Sequence, residues 1–562
     1  MKKRLILIIA CLCSLSAGAQ FPKWLKKVRP AQVSVIATDT KGELHESQGI
    51  FINEAGDVVT EFDVMKNAAK ASVIDAKGNE YKVTHICGVS NMYNMAKLAI
   101  EKGKAKISYI PQAANSAREN EGIYILPHAK ANKKAPCTMD TIMRVDTFMH
   151  EYLYYSLNKV PQERQSNCPV LNEKGELIGL VQMPMKKDEK SYAIDARYGA
   201  DMEIATLDAG NTDLNNIRIA KRLPESENDA LSYLFLTADK NDSIYLIHLD
   251  DFMARFPGNS SAYTLKAEYL VRKGDYAEAE NVLNAGLGQE GTQKDELHYS
   301  FSKLIYGFCH EQNDSSQTAW TLESALEEAD KAYVANPLPV YTDQKAICLY
   351  ALKRYDEAAA LFLSLTKTNM RSVDLFLLAV QCKEMANAKE EEVLTLLDSA
   401  VNFYQKPYPQ AAAKPLMLRG RQLAKMQKYR EAVKDYNEYE HLFAGNLPAR
   451  FYYEREQIEV KCRMYPAAMN DIERAIRIAP KEPMLYAEYA SLNYRIGQIE
   501  EAIKVAKDAI QIAPDYADPY RIIGVCYADQ QKYEEAKEYL KKAISLGDKL
   551  SEGVLERISA QK

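Results

Sequence analysis

The chain has 562 residues, of which 47% are hydrophobic and 27% are charged, and its formal net charge at neutral pH is −5. This length exceeds what one hydrophobic core supports, and the composition is typical of folded domains rather than of a disordered chain. The negative balance argues against a general nucleic-acid-binding function, because such proteins present strongly basic surfaces to the phosphates.

The N-terminus has the three parts of a secretory signal peptide. Basic residues 2–4 (KKR) precede a short apolar run over residues 5–15, and small residues 17–19 (AGA) end it. The apolar run is too short to cross a bilayer as a helix, and no later stretch is long and apolar enough to do so. The sequence therefore predicts an exported protein without a transmembrane segment. We expect it in the periplasm or cell envelope, or secreted.

Cysteine and histidine residues lack the spacing of metal ligands. No CxxC pair and no His/Cys cluster occurs, so the sequence predicts neither a metal site nor a cofactor. Cys87, Cys137 and Cys168 fall in the N-terminal region. Because an exported protein can form disulfides, the sequence leaves open whether these three cysteines form one.

Short apolar segments separated by turns run from about residue 32 to residue 195. Many short strands with regular turn signals are typical of a β-barrel or β-sandwich. The predicted strands cover residues 33–38, 49–52, 57–60, 71–75, 81–88, 97–101, 122–126, 137–147, 151–157, 176–182 and 191–194.

Three segments of this region resemble the trypsin-like, HtrA-type serine peptidases. Residues 47–64 (SQGIFINEAGDVVTEFDV) are similar to that family's GSGFFI…GxVVTNxHV, with Asp63 where the catalytic histidine stands. Residues 94–100 (NMAKLAI) resemble its DxAxL strand, with Asn94 in place of the catalytic aspartate. Residues 165–181 (QSNCPVLNEKGELIGLV) are similar to its GNSGGPVxNxxGxVIGV, with Ser166 at the nucleophile position. The resemblance implies a trypsin-like double barrel over roughly residues 30–200.

The departures from the family pattern predict that this site is catalytically inactive. A serine hydroxyl needs a neighbouring base to take its proton, and an aspartate is too weak a base for that role at neutral pH. In serine peptidases, replacing the triad aspartate alone by asparagine costs about 10⁴ in kcat. By the same resemblance Arg164 replaces a glycine of the oxyanion hole. His45 and His85 lie in this region but at no motif position.

From about residue 242 the apolar pattern becomes helical. Ala468, Ala502 and Ala536 are evenly spaced, and Pro480 and Pro514 are separated by the same interval. This interval matches the period of about 34 residues, with two helices per unit, that is typical of tetratricopeptide repeats (TPR). The sequence therefore predicts an all-α TPR solenoid of about eight repeats, closed by a C-terminal capping helix.

Together these segments predict an all-β trypsin-like double barrel followed by an all-α solenoid. The expected boundaries are a signal peptide at 1–19, a peptidase-like domain at 20–205, a linker at 206–241 and the TPR solenoid at 242–562. Such a solenoid presents a concave groove that binds a protein or peptide partner. The resemblance places a row of cations and tyrosines in that groove, which favours an acidic or C-terminal carboxylate ligand: Lys414, Arg421, Lys425, Arg450, Tyr453, Lys461, Tyr494, Arg495 and Arg521.

Two functions from different classes follow. The first is an exported binding scaffold in which the peptidase-like domain is inactive. The alternative is an active envelope serine endopeptidase, with Ser166 as nucleophile, a non-standard base and substrate recruited by the repeats. A third, an assembly or quality-control factor, would bind exposed peptides through the inactive cleft.

Overall fold

A computed structural model describes residues 22–128, 137–159, 166–182, 191–240, 242–311 and 319–560. Contacts divide the chain into two compact units, Met1–Leu297 and His298–Lys562. The predicted signal peptide and Arg164 lie outside the described residues.

Six antiparallel strands form the first barrel of the N-terminal unit. Their bounds are β1 Gln32–Asp39, β2 Leu44–Phe51, β3 Val58–Glu61, β4 Ala68–Ile74, β5 Glu80–Ser90 and β6 Met95–Ile100. The strands pair in the order β5, β4, β1, β2, β3, β6, and β5 also pairs with β6, which closes the sheet on itself.

Local sequence explains both the strands and the turns of this barrel. β1 buries every second residue from 33 to 37, so that its apolar side chains face the barrel interior. Between β2 and β3, the Asn53 side-chain oxygen accepts hydrogen bonds from the backbone N–H groups of Gly56 and Asp57, both at 3.0 Å. Gly56 has a φ of 93°, which a residue with a side chain rarely adopts.

A second closed barrel follows in the same unit. Its strands are β7 Gly122–Ile125, β8 Thr138–Phe148, β9 Tyr152–Leu157, β10 Pro169–Leu171, β11 Leu177–Gln182 and β12 Tyr192–Asp195. They pair in the order β10, β11, β12, β9, β8, β7, and β7 pairs back to β10. Buried apolar residues fill the interior, including Ile123, Tyr155, Val170, Val181 and Ala193.

Part of the predicted linker is bonded to the first barrel. A two-residue strand, β13 (Ala220–Lys221), pairs in parallel with β5. On either side of it, the Arg218 N–H donates to the Ala68 carbonyl oxygen and the Arg222 N–H donates to that of Ile86, both at 2.8 Å. These bonds make the first part of the segment an addition to the barrel sheet. The domain boundaries at residues 205 and 241 stay predictions.

Helices make up the rest of the described chain. Shorter helices and those before the repeats are α1 Leu25–Val28, α2 Ala196–Asp201, α3 Thr212–Asn215, α4 Glu227–Thr237 and α5 Asp242–Arg255. Eight helix pairs follow within the described residues: α6 Ser260–Arg272 with α7 Tyr276–Gly288, α8 Lys294–Glu311 with α9 Leu322–Ala335, α10 Pro339–Ala351 with α11 Tyr355–Leu365, α12 Val373–Met385 with α13 Glu390–Val401, α14 Ala413–Lys425 with α15 Tyr429–Leu442, α16 Ala449–Lys461 with α17 Tyr465–Ile478, α18 Pro483–Arg495 with α19 Ile499–Ile512, and α20 Ala517–Asp529 with α21 Tyr533–Ser545. A final helix, α22 (Leu550–Ser559), packs Ile558 near Leu540.

The prediction of two all-β barrels followed by a run of helices consistent with a TPR solenoid is confirmed. Within each of the last three pairs, the turn between the helices uses one residue with left-handed backbone. These residues are Arg463, Gly497 and Gln531, and they recur at the same interval as the alanines of the repeat pattern. Across the described residues, no helix combines the length and the apolar character needed to cross a bilayer.

Gly88 provides a test of how the segment after α2 crosses the first barrel. A Cβ atom at this position would lie 2.6 Å from the carbonyl carbon of Met202 and 2.7 Å from the backbone nitrogen of Glu203. Because both are backbone atoms, Gly88→Ala is expected to lower the free energy of unfolding by about 1–3 kcal/mol. The measurement is chemical denaturation of the full chain. Gly210→Ala is the control, since nothing lies within 4 Å of its Cβ; equal stability of the two variants would contradict this packing.

Candidate functional site

Asp63, which occupies the histidine position of the peptidase pattern, lies in a short 3-10 turn (Asp63–Met65) directly after β3. Its side chain is exposed, and its Oδ1 atom forms an ion pair with Lys66 Nζ at 2.8 Å. Lys66 also contacts Asp213 Oδ2 at 3.2 Å. The carboxylate is therefore engaged at the surface with a neighbouring lysine.

Asn94, at the aspartate position, organises the backbone around it. Its Oδ1 atom accepts a hydrogen bond from the backbone N–H of Asp63 at 2.8 Å, and its carbonyl oxygen accepts one from Phe62 N–H at 3.2 Å. The same carbonyl oxygen accepts a bond from Asn167 Nδ2 at 3.2 Å. Asn94 has a left-handed φ of 47°, a conformation that asparagine adopts more readily than most residues. These bonds join the first barrel to the residue that follows Ser166.

Ser166 is half-buried in the turn that precedes β10. Beside it, Asn167 is buried with a φ of 55°, and its Oδ1 atom accepts a hydrogen bond from Gln182 Nε2 at 3.1 Å. The structure thus brings the Asp63, Asn94 and Ser166 segments together, through Asn94 and Asn167. Within the described part of the chain, no histidine is hydrogen-bonded to Ser166. Arg164 lies outside that part.

His128 and Cys168 lie near each other in the second barrel. Neither has the near-neutral pKa of an activated catalytic group. Burial lowers the pKa of His128 to about 4, so the imidazole is a weak base. Burial raises the pKa of the Cys168 thiol to about 12, so it is protonated at neutral pH. No disulfide joins Cys87, Cys137 and Cys168 to one another.

An aromatic surface lies beside Asn94, and the sequence analysis did not identify it. Ring centroids of neighbouring members are 5.3–6.3 Å apart, mostly in edge or tilted contacts, and Tyr154 stacks on Tyr192. All six side chains are half-exposed: Tyr93, Phe148, Tyr152, Tyr154, Tyr192 and Tyr198. The excess of tyrosine in the composition was the available signal. It could not locate this surface, because the six residues come from four separate segments of the chain.

One group of possible metal ligands occurs among the described residues. Ligand atoms of Asp39, Glu43 and His45 lie within 4.8 Å of one another on an exposed hairpin. Asp39 Oδ1 already accepts the N–H groups of Lys41 and Glu43 at 2.8 and 2.9 Å. These hydrogen bonds belong to the hairpin turn, and they explain why the three residues lie close together.

In the C-terminal unit, several cations of the predicted groove are paired with acids of neighbouring helices. Arg421 forms a two-point bond with Glu454 at 2.7 and 2.9 Å, and Lys425 lies 3.5 Å from Glu390. Arg521 contacts Asp518 at 2.5 Å and Asp548 at 3.1 Å, which ties α20 to the segment before α22. These ion pairs offset part of the positive charge of the three cations.

Two tyrosines of the predicted groove also have acidic neighbours. The Tyr494 hydroxyl donates to Asp529 Oδ2 at 2.6 Å. Tyr453 is half-buried. Its burial is the largest cause that raises its pKa, and the Glu488 and Glu456 carboxylates raise it further. Both hydroxyls therefore stay protonated as hydrogen-bond donors.

Four predicted groove cations remain without an acid partner within 4 Å among residues 319–560. All of them are exposed: Lys414, Arg450, Lys461 and Arg495. They lie on α14, α16 and α18, the first helices of three consecutive pairs. Their role in binding an acidic ligand stays a prediction, but the structure leaves their charge available.

A buried charge cluster lies between α15, α16 and α17. Arg455 is almost fully buried and donates to Asp471 at 2.6 and 2.8 Å and to Glu440 at 2.7 Å. Burial and the negative charge of Asp471 raise the pKa of Glu459 to about 8, and burial and Glu488 raise that of Glu456 to about 7. The cluster holds more acids than cations, so its buried glutamates keep their protons near neutral pH.

Comparison with known proteins agrees with the repeat architecture. A tetratricopeptide-repeat family profile matches residues 495–549. Two curated relatives are similar to part of the chain, both named small glutamine-rich tetratricopeptide repeat-containing protein 2. The Saccharomyces cerevisiae protein is 33% identical over 91 residues, 16% of this chain and 26% of that protein. The Mycosarcoma maydis protein is 30% identical over 98 residues, 17% of this chain and 28% of that protein. The chain thus spans little more than a quarter of their length.

Solved structures give the same type of match over about a third of the chain. YrrB, described as a TPR protein with an unusual peptide-binding site, is 20% identical and covers 35% of this chain and 99% of its own, with a TM-score of 0.29. MamA is 18% identical and covers 31% of this chain and 96% of its own, with a TM-score of 0.27. The profile match and the helix pairs show that the C-terminal region contains tetratricopeptide repeats.

The protonated glutamates of the charge cluster predict a pH-dependent stability. In the unfolded chain a glutamate loses its proton near pH ~4.3, whereas Glu459 keeps its proton up to about pH 8. Between these values the native state binds more protons than the unfolded state, so the free energy of unfolding falls as the pH rises. Glu459→Gln removes this titration and should be more stable than wild type above that window, by up to about 5 kcal/mol, with little difference at its acid end.

Denaturation of the full chain, followed by its helical circular dichroism at both ends of this pH window, measures the effect. The matched control is Glu535→Gln, at an exposed glutamate of α21, which should show the wild-type pH dependence. A Glu459→Gln protein whose stability parallels that of wild type at every pH would contradict the buried, protonated state.

Proposed function

We propose that the chain is an exported protein-binding scaffold whose repeat groove takes a peptide or an extended segment of a partner protein. The observation that carries this proposal is the series of helix pairs whose first helices hold exposed cations without acid partners in residues 319–560. Stacked helix pairs form a concave surface that accepts a peptide along its length. Cations on that surface raise the local potential and attract acidic segments.

The proposal includes a peptidase-like N-terminal domain that does not catalyse hydrolysis. Three observations support it. The Asp63 carboxylate is bonded to Lys66, and the Asn94 side-chain oxygen accepts the amide proton of Asp63. In the described residues no histidine reaches Ser166 to act as its base. Without a base the serine hydroxyl stays a weak nucleophile.

Export is part of the same proposal. The basic residues 2–4, the apolar run over residues 5–15 and the small residues 17–19 support it. A scaffold in the cell envelope would meet its partner outside the cytoplasm. The measurement is N-terminal sequencing of the protein recovered from the envelope fraction, where a mature chain is expected to begin at Gln20.

Catalytic inactivity predicts that Ser166 does not react with a fluorophosphonate probe. Such probes form a covalent bond with a serine only when its hydroxyl is activated by a base. We expect no labelling of the purified full chain, measured by in-gel fluorescence, with an active serine peptidase in the same reaction as the positive control. Labelling that is lost in Ser166→Ala would instead support the endopeptidase function.

The groove predicts a charge-dependent capture of the partner. Lys461→Glu with Arg495→Glu reverses two cations that end the first helices of adjacent pairs. Each exposed ion pair contributes up to about 1 kcal/mol, so the double variant should capture about tenfold less partner from envelope extract. Capture by wild type should also weaken as salt rises.

The matched control is Arg477→Glu with Lys507→Glu, which makes the same change of charge on the second helices α17 and α19. Circular dichroism checks that both double variants keep their helical content. If the two double variants capture the partner equally well, the cations of the first helices do not bind it and the predicted groove residues are wrong.

A further inference from the structure

A small cavity lies where β13 meets helices α4 and α5. Its volume is about 20 Å³, which is room for one particle of about the size of a water molecule. Lys221 of β13 and both Tyr245 and His248 of α5 contribute to its lining. All of these residues belong to the N-terminal unit. Among the described residues, two lysines line the cavity, Lys221 and Lys240, and no aspartate or glutamate does.

Lys221 is a buried lysine without an acid partner in the described part of the chain. It is 2% exposed, and its Nζ atom donates a hydrogen bond to the Ile217 carbonyl oxygen at 2.5 Å. An ammonium group has three N–H donors, and no described residue accepts a bond from the other two. Burial lowers the pKa of Lys221 to about 7, and no neighbouring carboxylate among the described residues opposes that shift. Because a buried charge is costly unless it is paired, an anion beside this lysine would keep it charged.

The Tyr245 hydroxyl is a second buried donor that lacks a partner. Tyr245 is 2% exposed, and its Oη atom has no hydrogen-bond partner among the described residues. In the same lining, His248 Nε2 accepts the backbone N–H of Lys221 at 2.8 Å. Burial, assisted by the charge of Lys221, lowers the pKa of His248 to about 3, so the imidazole is neutral. The buried groups without a partner are thus an ammonium and a hydroxyl, and both can donate to an anion.

Charge and volume together select the ligand of this cavity. Two lysines in the lining without an acid favour an anion over a cation. A water molecule could accept hydrogen bonds from both buried donors, but it would leave the ammonium charge uncompensated. The volume leaves room for a halide ion, which is similar in size to a water molecule. A phosphate, sulfate or carboxylate group has several heavy atoms and does not fit.

We propose that this cavity binds a single monovalent anion of halide size, held between the Lys221 ammonium and the Tyr245 hydroxyl. The ion would join two parts of the N-terminal unit. Lys221 belongs to β13, which pairs with β5 of the first barrel, and Tyr245 belongs to α5, which precedes the helix pairs. A bound ion would therefore stabilise the attachment of α5 to the barrel sheet. The site lies outside the repeat groove, so this inference does not rest on partner binding.

The test measures hydrogen–deuterium exchange of the full chain by mass spectrometry, with chloride as the probe. Sodium chloride is titrated against sodium gluconate at constant ionic strength, because gluconate screens surface charge equally but is too large for the cavity. An ion that binds only the closed state reduces local opening. Chloride should therefore slow exchange of the Lys221 amide, which donates to His248, by at least about fivefold relative to gluconate. Sodium sulfate at the same ionic strength should not slow it.

Variants of the two donors provide the second arm. Lys221→Met removes the charge and keeps a side chain of similar length, and Tyr245→Phe removes only the hydroxyl. Each loses a hydrogen bond to a charged ligand, so the chloride concentration needed for a given slowing should rise at least about tenfold. Lys97→Met is the matched control, because the Lys97 ammonium also donates to backbone carbonyl oxygens, those of Ala200 and Met202, but lies outside the cavity. It should respond to chloride like wild type.

Three results would overturn the inference. Equal exchange in chloride and gluconate would show that the cavity holds no halide. Equal slowing by chloride in wild type, Lys221→Met and Tyr245→Phe would place the chloride effect elsewhere on the chain. Slowing by sulfate as large as that by chloride would exclude a site of halide size. Circular dichroism checks the fold of each variant, and if Lys221→Met does not fold, the response of Tyr245→Phe decides the outcome.

Discussion

The close approach of the two helices within each pair is the constraint on which the C-terminal unit depends. The eighth residue of the first helix lies at this crossing. It is Gly420 in α14, Ala490 in α18 and Gly524 in α20. A Cβ atom on Gly524 would lie 2.7 Å from Leu540 Cγ, and one on Gly420 would lie 2.9 Å from Tyr436 Cε2. Small residues at this position therefore set the spacing of the helices. Because each pair packs only on its neighbours, that spacing also sets the width of the groove.

The pair α16–α17 meets the same constraint with charge instead of a small side chain. Glu456 occupies the eighth position of α16 and is 1% exposed. The adjacent Arg455 is buried against Asp471 and Glu440, so the crossing is held by charge-assisted hydrogen bonds. Buried ions are costly unless paired, and a cluster with more acids than cations lowers its charge by keeping protons. Position 456 thus departs from the pattern of small residues at the crossing. The paired charges of its neighbours hold the two helices together instead.

The architecture could be predicted because it depends on periodic signals. Alternation in strands such as β1 and the even recurrence of Ala468, Ala502 and Ala536 are visible without a structure. Strands β10 and β13 were not predicted. β10 is three residues long and begins with Pro169, and β13 is two residues long and gains its pairing only from β5. Neither is long enough to show alternation.

The details of the candidate sites were less predictable, because they depend on contacts between distant segments. The motif positions placed Asp63, Asn94 and Ser166 near one another, and the structure joins their segments through Asn94 and Asn167. The pairing of Arg421 on α14 with Glu454 on α16 could not be deduced from the sequence of either helix. The same holds for the aromatic surface beside Asn94. Repeat positions predict which residues face the groove, but not which of their charges are already paired.

The predicted groove cations of the repeats fall into two groups, those that are paired with an acid and those that are not. Arg421 and Lys425 contact acids of neighbouring helices, and Arg521 contacts Asp518 on its own helix and Asp548 before α22, so these cations offer less free charge to a ligand. Cations without such partners lose no internal bond when a ligand binds, so the whole of a new ion pair contributes to affinity. Lys414, a predicted groove cation, also lines a cavity, together with Arg371. A ligand at that cavity would therefore gain both unpaired charge and apolar contact, whereas elsewhere on the first helices charge alone would attract it.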